Sequence, residues 1–489
     1  MGKKPNIVFV LTDDQGAWAL HCAGNDELQT PNLDRIAENG MRFDHFFCAS
    51  PVCSPARASL LTGTIPSAHG VLDWLRGGNL DGGRFAAQGA EDPCGGYKDE
   101  TLPIQYLAGK LTYTDVLAQN GYNCALSGKW HLGDSVNPQH GFRYWYTIGR
   151  GGCCYYHPDI VENGGIQVMH GRYVTDLITE KALEFMDAMS GQDAPFYLSV
   201  HYTAPHAPWE AEHHPKEFIG MYENCPFHST PDLPDHPGLT CEPVYGTPRR
   251  KEKLRGYYAA VTAMDRGVGK LLDRLEEKGL AGNTIVIFAA DNGMNMGHHG
   301  IWGKGNGTRP MNMYDTSVKV PFMVSWPGRV PGGVVCHRMV SAYDFFPTLL
   351  ELLGLEGRQT QKLPGTSFAR ALRGEEEQEG RENVVIFDEY GPVRMIRSGR
   401  CKYIHRYPYG PNEFYDLEKD PEETQNEVEN PAYEPLILQM RRKLETWFNR
   451  YADPDLDGTK EGVTGSGQLC SAGTYAQQLV KYAAPGPNS

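Results

Sequence analysis

Two unbroken aliphatic runs, NIVFVL at 6–11 and NTIVIFAA at 283–290, restrict the fold of this chain more than any other feature. A strand with one face in water alternates apolar and polar residues. A run with no polar break is buried on both faces, as in a mostly parallel sheet covered by helices. APFYLSVHY at 194–202 and VPFMVSWP at 320–327 read as two more strands of this kind. Helical stretches lie between them: TPNLDRIAENG at 30–40, YVTDLITEKALEFMDAM at 173–189 and RGYYAAVTAMDRGVGKLLDRLEEKG at 255–279, the last closed by Lys278-Gly279. The alternation predicts an α/β fold, a large mostly parallel sheet sandwiched by helices.

The pattern changes at RGEEEQEGREN (373–383), a solvated charge run. It sets an expected boundary between an α/β unit over 1–375 and a smaller C-terminal α+β subdomain over 376–489. The second unit would hold short strands at VVIFDEY, VRMIRS and CKYIHRY, a helix around EPLILQMRRKLETWFNRY and a loose tail, YAAPGPNS. Residues 75–100 and 224–250 are rich in Gly, Pro and polar residues and read as long loops that shape a pocket. No internal repeat is present.

The net charge of -14 over 489 residues argues against nucleic acid as the main partner, since phosphate binding needs a basic face. No stretch approaches the roughly 20 apolar residues of a membrane span, so no membrane partner is expected. The opening MGKKPNIVFVLTDDQ has too short an apolar run for a secretory leader and no small-residue cleavage site. The expectation is therefore a cytoplasmic chain whose 12 scattered cysteines are free thiols. Nothing in the sequence specifies an oligomeric state.

In open α/β sheets ligands gather at the carboxyl ends of strands. The first run leads into Asp13-Asp14 and the run at 283–290 into Asp291-Asn292. Four oxygen-bearing side chains thus reach one sheet edge, a set suited to a hard divalent cation. Either pair alone equally suits the capping of a turn or helix. In PVCSPARASLLTG (51–63), Pro55 near the first helical position and Gly63 past the end mark a short helix. Cys53 would sit at its N-terminal mouth, where an anion is favoured, with Arg57 one turn on and able to fork onto anionic oxygens. A buried cysteine beside a surface arginine is the alternative.

Cys53-Ser54-Pro55-Ala56-Arg57, followed by Leu61-Thr62-Gly63, resembles the signature of the type I sulfatases. The resemblance runs in order along most of the chain, through NIVFVLTDDQG, GKWHLG (128–133), APHAPW (204–209), ADNG (290–293) and GKGN (303–306), to YDFFPTLLELLG (343–354) and EFYDLEKDPEETQN (413–426). It implies an alkaline phosphatase-like fold and oxidation of Cys53 to formylglycine by a formylglycine-generating maturation enzyme. The hydrated aldehyde would attack sulfur through one hydroxyl and expel sulfate through the other. By the same resemblance Asp13, Asp14, Asp291 and Asn292 bind Ca²⁺ (Mg²⁺ being the alternative) together with the modified Cys53. Arg57 steadies the formylglycine, and His131 is its hydrogen-bond partner and the base of the second step. Lys129, His206 and Lys304 surround the sulfate, with His206, helped by Lys304, protonating the departing alcohol.

The implied activity is hydrolysis of a sulfate ester, on a sulfated mono- or oligosaccharide derived from glycosaminoglycans or other glycans. Aryl or choline sulfate, a phosphate or phosphonate ester, or an inactive binding protein are the competing readings. His201, Trp74, Arg76, His298, His299, Arg309 and RCKYIHRYPYG (400–410) are candidate substrate contacts, with a structural role the alternative for each.

Overall fold

The computed structural model describes residues 4–87, 100–355, 362–375, 381–388, 393–460 and 467–473. Ten strands form one sheet in the spatial order Val334–Cys336, Met41–Phe43, Phe322–Ser325, Thr284–Ala290, Asn6–Thr12, Phe196–His201, Asn123–Gly128, Phe142–Ile148, Asp159–Glu162 and Gly165–Val168. The five strands from Thr284–Ala290 to Phe142–Ile148 run parallel.

Two-sided burial explains the unbroken apolar runs. Ile7, Phe9 and Leu11 point to a core shared with Leu60, Leu61, Tyr113, Val116, Phe345 and Phe346. These come from the helices Cys53–Thr62, Tyr113–Gln119 and Ala342–Leu352. Val8 and Val10 point to the opposite core, built by Pro31–Glu38, Val174–Ser190 and Arg249–Glu277 through Leu33, Ile36, Leu177, Ile178, Tyr257 and Val261. Each face thus removes its own layer of side chains from water, the main favourable term in holding such a sandwich together.

Three readings of the sequence need correction. The strand within 320–327 is antiparallel to both neighbours, Thr284–Ala290 and Met41–Phe43. Burial on two faces gives the same apolar run whichever way a strand points, so composition could not settle its direction. The helix of the PVCSPARASLLTG stretch starts at Cys53 itself, with Val52 as its cap and Pro55 as its third residue. Proline is tolerated there because first-turn N–H groups have no intrahelical acceptor. The cysteines are also not uniformly reduced. Among the described residues ten are free, but Cys154 is in a disulfide.

A second, antiparallel sheet joins Asn383–Asp388, Val393–Ser398, Cys401–Arg406 and Glu413–Asp416 in sequence order. The helix Glu434–Tyr451 covers it with Met440, Leu444 and Phe448, spaced to share one face, packed on Val385, Ile396, Tyr403 and Phe414. The boundary expected at 375/376, the end of the loop at 75–100 and the tail YAAPGPNS touch or lie in residues 376–380, 88–99 and 474–489, outside the described residues. Among the described residues no helix is long and apolar enough to cross a membrane.

Candidate active site

Strand register brings the site together. Thr12 is paired with Ala290, so Asp13-Asp14 and Asp291-Asn292 leave the sheet side by side. On the other flank Leu11 pairs with His201 and His201 with Gly128. The adjoining strand ends therefore deliver His206 and the Lys129-His131 pair to the same edge. Gly128 has a φ of 114°, and a Cβ there would lie 2.0 Å from the His201 carbonyl oxygen. Only glycine lets the chain tuck in so closely, and the Lys129 amide then donates to that carbonyl at 2.9 Å. Asp14 and His131 are non-glycine residues in the left-handed region, with φ of 62° and 54°. Such backbone persists where surroundings over-determine it, often at functional sites.

Three buried acids meet three cations. Lys129 Nζ lies 2.5 Å from Asp13 Oδ2, Lys304 Nζ 2.5 Å from Asp14 Oδ1, and Arg57 Nε donates to Asp291 Oδ2 at 2.8 Å. His206 Nε2 stands 3.6 Å from Asp14 Oδ2, and Asn292 Nδ2 donates to Asp14 Oδ1 at 2.9 Å. Burial pushes the Asp13 carboxyl up, but Lys129, His206 and Arg57 together hold it below its ordinary value. Burial is likewise outweighed at Asp14 by Lys304 and His206. Asp291 is raised, by burial and by the negative charge of Asp13.

Cys53 is the first helical residue and is buried with its whole helix. It lies in the lining of a cavity of about 650 Å³, with Trp74, Arg76, His131, Arg150, His206 and Lys304 around it. Burial raises its thiol, more than Lys129 and Lys304 lower it. A thiol kept protonated is a poor nucleophile. Burial, then the charges of Lys129 and Arg57, hold His131 far below its ordinary value, so it is neutral. Its Nε2 faces the Leu75 carbonyl at 3.1 Å and must carry the proton. Nδ1 has no partner among the described residues, which leaves a free lone pair in a buried setting.

The residues present fit a divalent cation. Asp13 Oδ1 and Asn292 Oδ1 are buried and make no hydrogen bond among the described residues, which a buried oxygen rarely does without a reason. Ligand atoms of Asp13, Asp14 and His206 lie within 4.8 Å of one another. Asp291 is more committed: Oδ1 accepts from the Asp14 and Asn292 amides at 3.2 and 2.7 Å, and Oδ2 from Arg57.

Other candidates fall elsewhere. His201 is buried, its Nδ1 3.0 Å from the Lys129 carbonyl and its Nε2 2.9 Å from Ser199 Oγ, so it braces the Lys129 backbone. Burial and Arg57 bring it down to about 3. His298 packs on Trp18, ring centroids 4.8 Å apart, and His299 stacks on Tyr314 at 3.7 Å. Neither lines the Cys53 cavity. Arg309 is exposed. In RCKYIHRYPYG, Lys402 is fully buried in ion pairs with Asp315 and Glu423. Trp74 and Arg76 do reach the cavity. Sequence reasoning missed Asn79, Arg150, Gly151, Gly152 and Asn306 among its lining. Gly151 packs so tightly on His131 that a Cβ would sit 2.1 Å from Nε2. The adjacent Cys153-Cys154 pair, both on the cavity wall, was the one available signal.

Comparison with known proteins accords with this geometry. The sulfatase family profile matches residues 5–355, and a profile described as N-sulphoglucosamine sulphohydrolase, C-terminal, matches 297–450. An ulvan-active sulfatase of Formosa agariphila is 30% identical over 90% of this chain and 80% of its own. An N-acetylglucosamine-6-O-sulfatase of Bacteroides thetaiotaomicron is 26% identical over 95% of this chain and 90% of its own. The solved structure of BT4656 in complex with its substrate, D-glucosamine-2-N,6-O-disulfate, shares the fold with a TM-score of 0.73 and 24% identity, over 93% of this chain and 99% of that one.

Proposed function

The chain belongs to the sulfatase family, a sulfuric ester hydrolase for which formylglycine and a divalent metal are typical, and from that premise we propose that it hydrolyses the sulfate ester of a sulfated sugar in the cavity over Cys53. The observation that carries the reading is the position of Cys53. It opens a buried helix at the cavity wall, its thiol held neutral by burial, beside the side chains a sulfate would need.

Formylglycine made from Cys53 supplies a carbon bearing two hydroxyls, one to attack sulfur and one to expel sulfate afterwards. Conversion requires a formylglycine-generating enzyme as maturation partner. Asp13, Asp14, Asp291 and Asn292 would hold Ca²⁺ next to residue 53, where a divalent ion stabilises negative charge on the reacting oxygens. Arg57 is tied to Asp291 through Nε and to the Lys129 carbonyl through Nη1 at 3.0 Å, which leaves Nη2 for residue 53. Lys129 and Lys304 neutralise charge on the sulfate oxygens. His206, beside Lys304 on the cavity wall, protonates the departing alcohol. His131 accepts a proton at Nδ1 in the second step, its tautomer fixed by the Leu75 carbonyl.

A sugar is supported by the size of the cavity, which lies in the range of small-molecule sites, by Trp74 on its wall, and by the sugar sulfates that two of the compared proteins act on or bind. Release of sulfate from 6-O-sulfated N-acetylglucosamine, N-acetylgalactosamine and glucosamine, set against 4-nitrophenyl sulfate and 4-nitrophenyl phosphate, tests the reading. A 6-O-sulfated sugar is expected to turn over fastest. A faster aryl sulfate would overturn the sugar assignment, and a faster phosphate ester the sulfate assignment.

A further inference from the structure

One wall of the cavity is held by a piece of chain almost four hundred residues downstream. Residues 467 and 468 run alongside 74–76, with Leu75 bridged to Gln468 in parallel. The Arg76 amide donates to the Gln468 carbonyl at 3.0 Å, and the Gln468 amide donates to the Trp74 carbonyl at 2.8 Å. The Gln468 side chain, 8% exposed, then closes over the same segment. Its Oε1 accepts from the Leu72 amide at 2.9 Å, and its Nε2 donates to the carbonyls of Gly70 and Cys470 at 3.0 and 2.9 Å. One buried amide thus holds the backbone on either side of Val71 and locks its own strand to it.

Gly467 is constrained twice over. Its φ is 86°, and a Cβ there would lie 2.9 Å from Trp74 Cε2, the Trp74 carbonyl oxygen and Arg76 Cβ. Only glycine fits both the backbone conformation and the close approach.

The clamped segment carries three parts of the site. Trp74 and Arg76 line the cavity, and the Leu75 carbonyl takes the hydrogen bond of His131 Nε2. The Leu75 amide also donates to Ser54 Oγ at 3.1 Å, next to Cys53. We propose that Gly467 and Gln468 are positioning residues of the active site: they fix the 72–76 wall, and through the Leu75 carbonyl they fix the orientation and tautomer of His131. A wall ordered before substrate arrives spares binding the ordering penalty and keeps the catalytic groups in register. The proposal rests on the reading of this cavity as the site of sulfate ester hydrolysis.

Amide hydrogen exchange and steady-state kinetics on the full chain test it, with wild type, Gln468→Ala and Gly467→Ala compared. In both variants exchange at the Leu72 and Arg76 amides should quicken about tenfold or more, while the strand Thr284–Ala290 exchanges as in wild type. With 4-nitrophenyl sulfate, kcat should fall about tenfold through misplacement of His131. With a 6-O-sulfated monosaccharide, KM should rise as well, because Trp74 and Arg76 meet the sugar. Should Gln468→Ala fail to fold, Gln468→Asn, with its amide one carbon shorter, carries the same readings in milder form. Exchange at Leu72 and Arg76 unchanged, or kinetics within twofold of wild type in both variants, would overturn the proposal. Exchange that quickens as expected in the variants, with no turnover of any sulfate ester by the wild type, would overturn the hydrolase reading alone.

Discussion

At the carboxyl end of the large sheet, Asp13, Asp14 and Asp291 face Lys129, Lys304 and Arg57. At the seam with the small sheet, Asp315 and Glu423 face Lys402, Arg397 and Lys319. Both clusters bury acids against cations, yet they are finished differently. Asp315 takes Arg397 on both oxygens, at 3.1 and 2.9 Å, and Lys402 on Oδ1 at 2.7 Å. Glu423 Oε2 accepts the Asp315 amide at 2.6 Å, and Lys402 also donates to the Met313 carbonyl at 2.9 Å. At the sheet edge Asp13 Oδ1, Asn292 Oδ1, Arg57 Nη2 and His131 Nδ1 have no hydrogen-bond partner among the described residues. Buried charge by itself therefore does not mark a site: at the seam only Glu423 Oε1, ion-paired with Lys402, lacks a hydrogen bond among the described residues, whereas at the sheet edge four atoms of four residues do.

The contrast breaks most sharply at Cys53. Cys53→Ala should lower hydrolysis of a sulfate ester by on the order of 10³-fold or more, with the fold retained by circular dichroism. Asp13→Ala should abolish stoichiometric metal in elemental analysis and lower turnover by about 10²-fold. It also strands the Lys129 ammonium, a loss of about 3 kcal/mol in denaturant unfolding.

The seam should behave in the opposite sense. Lys402→Met should lower stability by about 3 kcal/mol by leaving Asp315 and Glu423 short of a buried partner, while the folded protein keeps kcat within about twofold. A large drop in kcat with stability unchanged would place the seam in the catalytic apparatus. The smallest effect concerns pH. Burial, against the pull of Lys402, raises the Glu423 carboxyl to about 7. Since this folded value lies above the unfolded one, the stability it contributes is full below the ordinary carboxylate range and is lost as pH rises through about 7. Glu423→Gln should flatten the fall in melting temperature between pH 5 and 8, a change on the order of 1 kcal/mol.

The sheet edge was legible because its strands announce themselves. Asn6–Thr12 and Thr284–Ala290 are unbroken and buried on both faces, and each runs straight into its acidic pair. The strand Asn123–Gly128, which delivers Lys129 and His131, gave no such sign. NCALSG mixes Asn, Cys, Ser and Gly, and Ser127 is accommodated only because its hydroxyl donates to the Ile178 carbonyl at 2.8 Å. Tertiary pairing of this kind leaves no trace in periodicity. Neither did the difference between His201 and His206, five residues apart: one is used up by Lys129 and Ser199, the other faces Asp14 and the cavity. The wall at 72–76 runs into the segment 75–100 read as a loop, and its partner at 467–468 lay near a tail read as loose, so their pairing was invisible to local argument.

On the function proposed above, Cys53 acts only after oxidation, at the edge where the acids converge. Mass analysis of the peptide spanning Cys53, taken from preparations of graded specific activity, tests it most directly. An aldehyde is expected at residue 53, its fraction rising in proportion to sulfate ester hydrolysis. Full activity in protein whose Cys53 is entirely the unmodified thiol would contradict it.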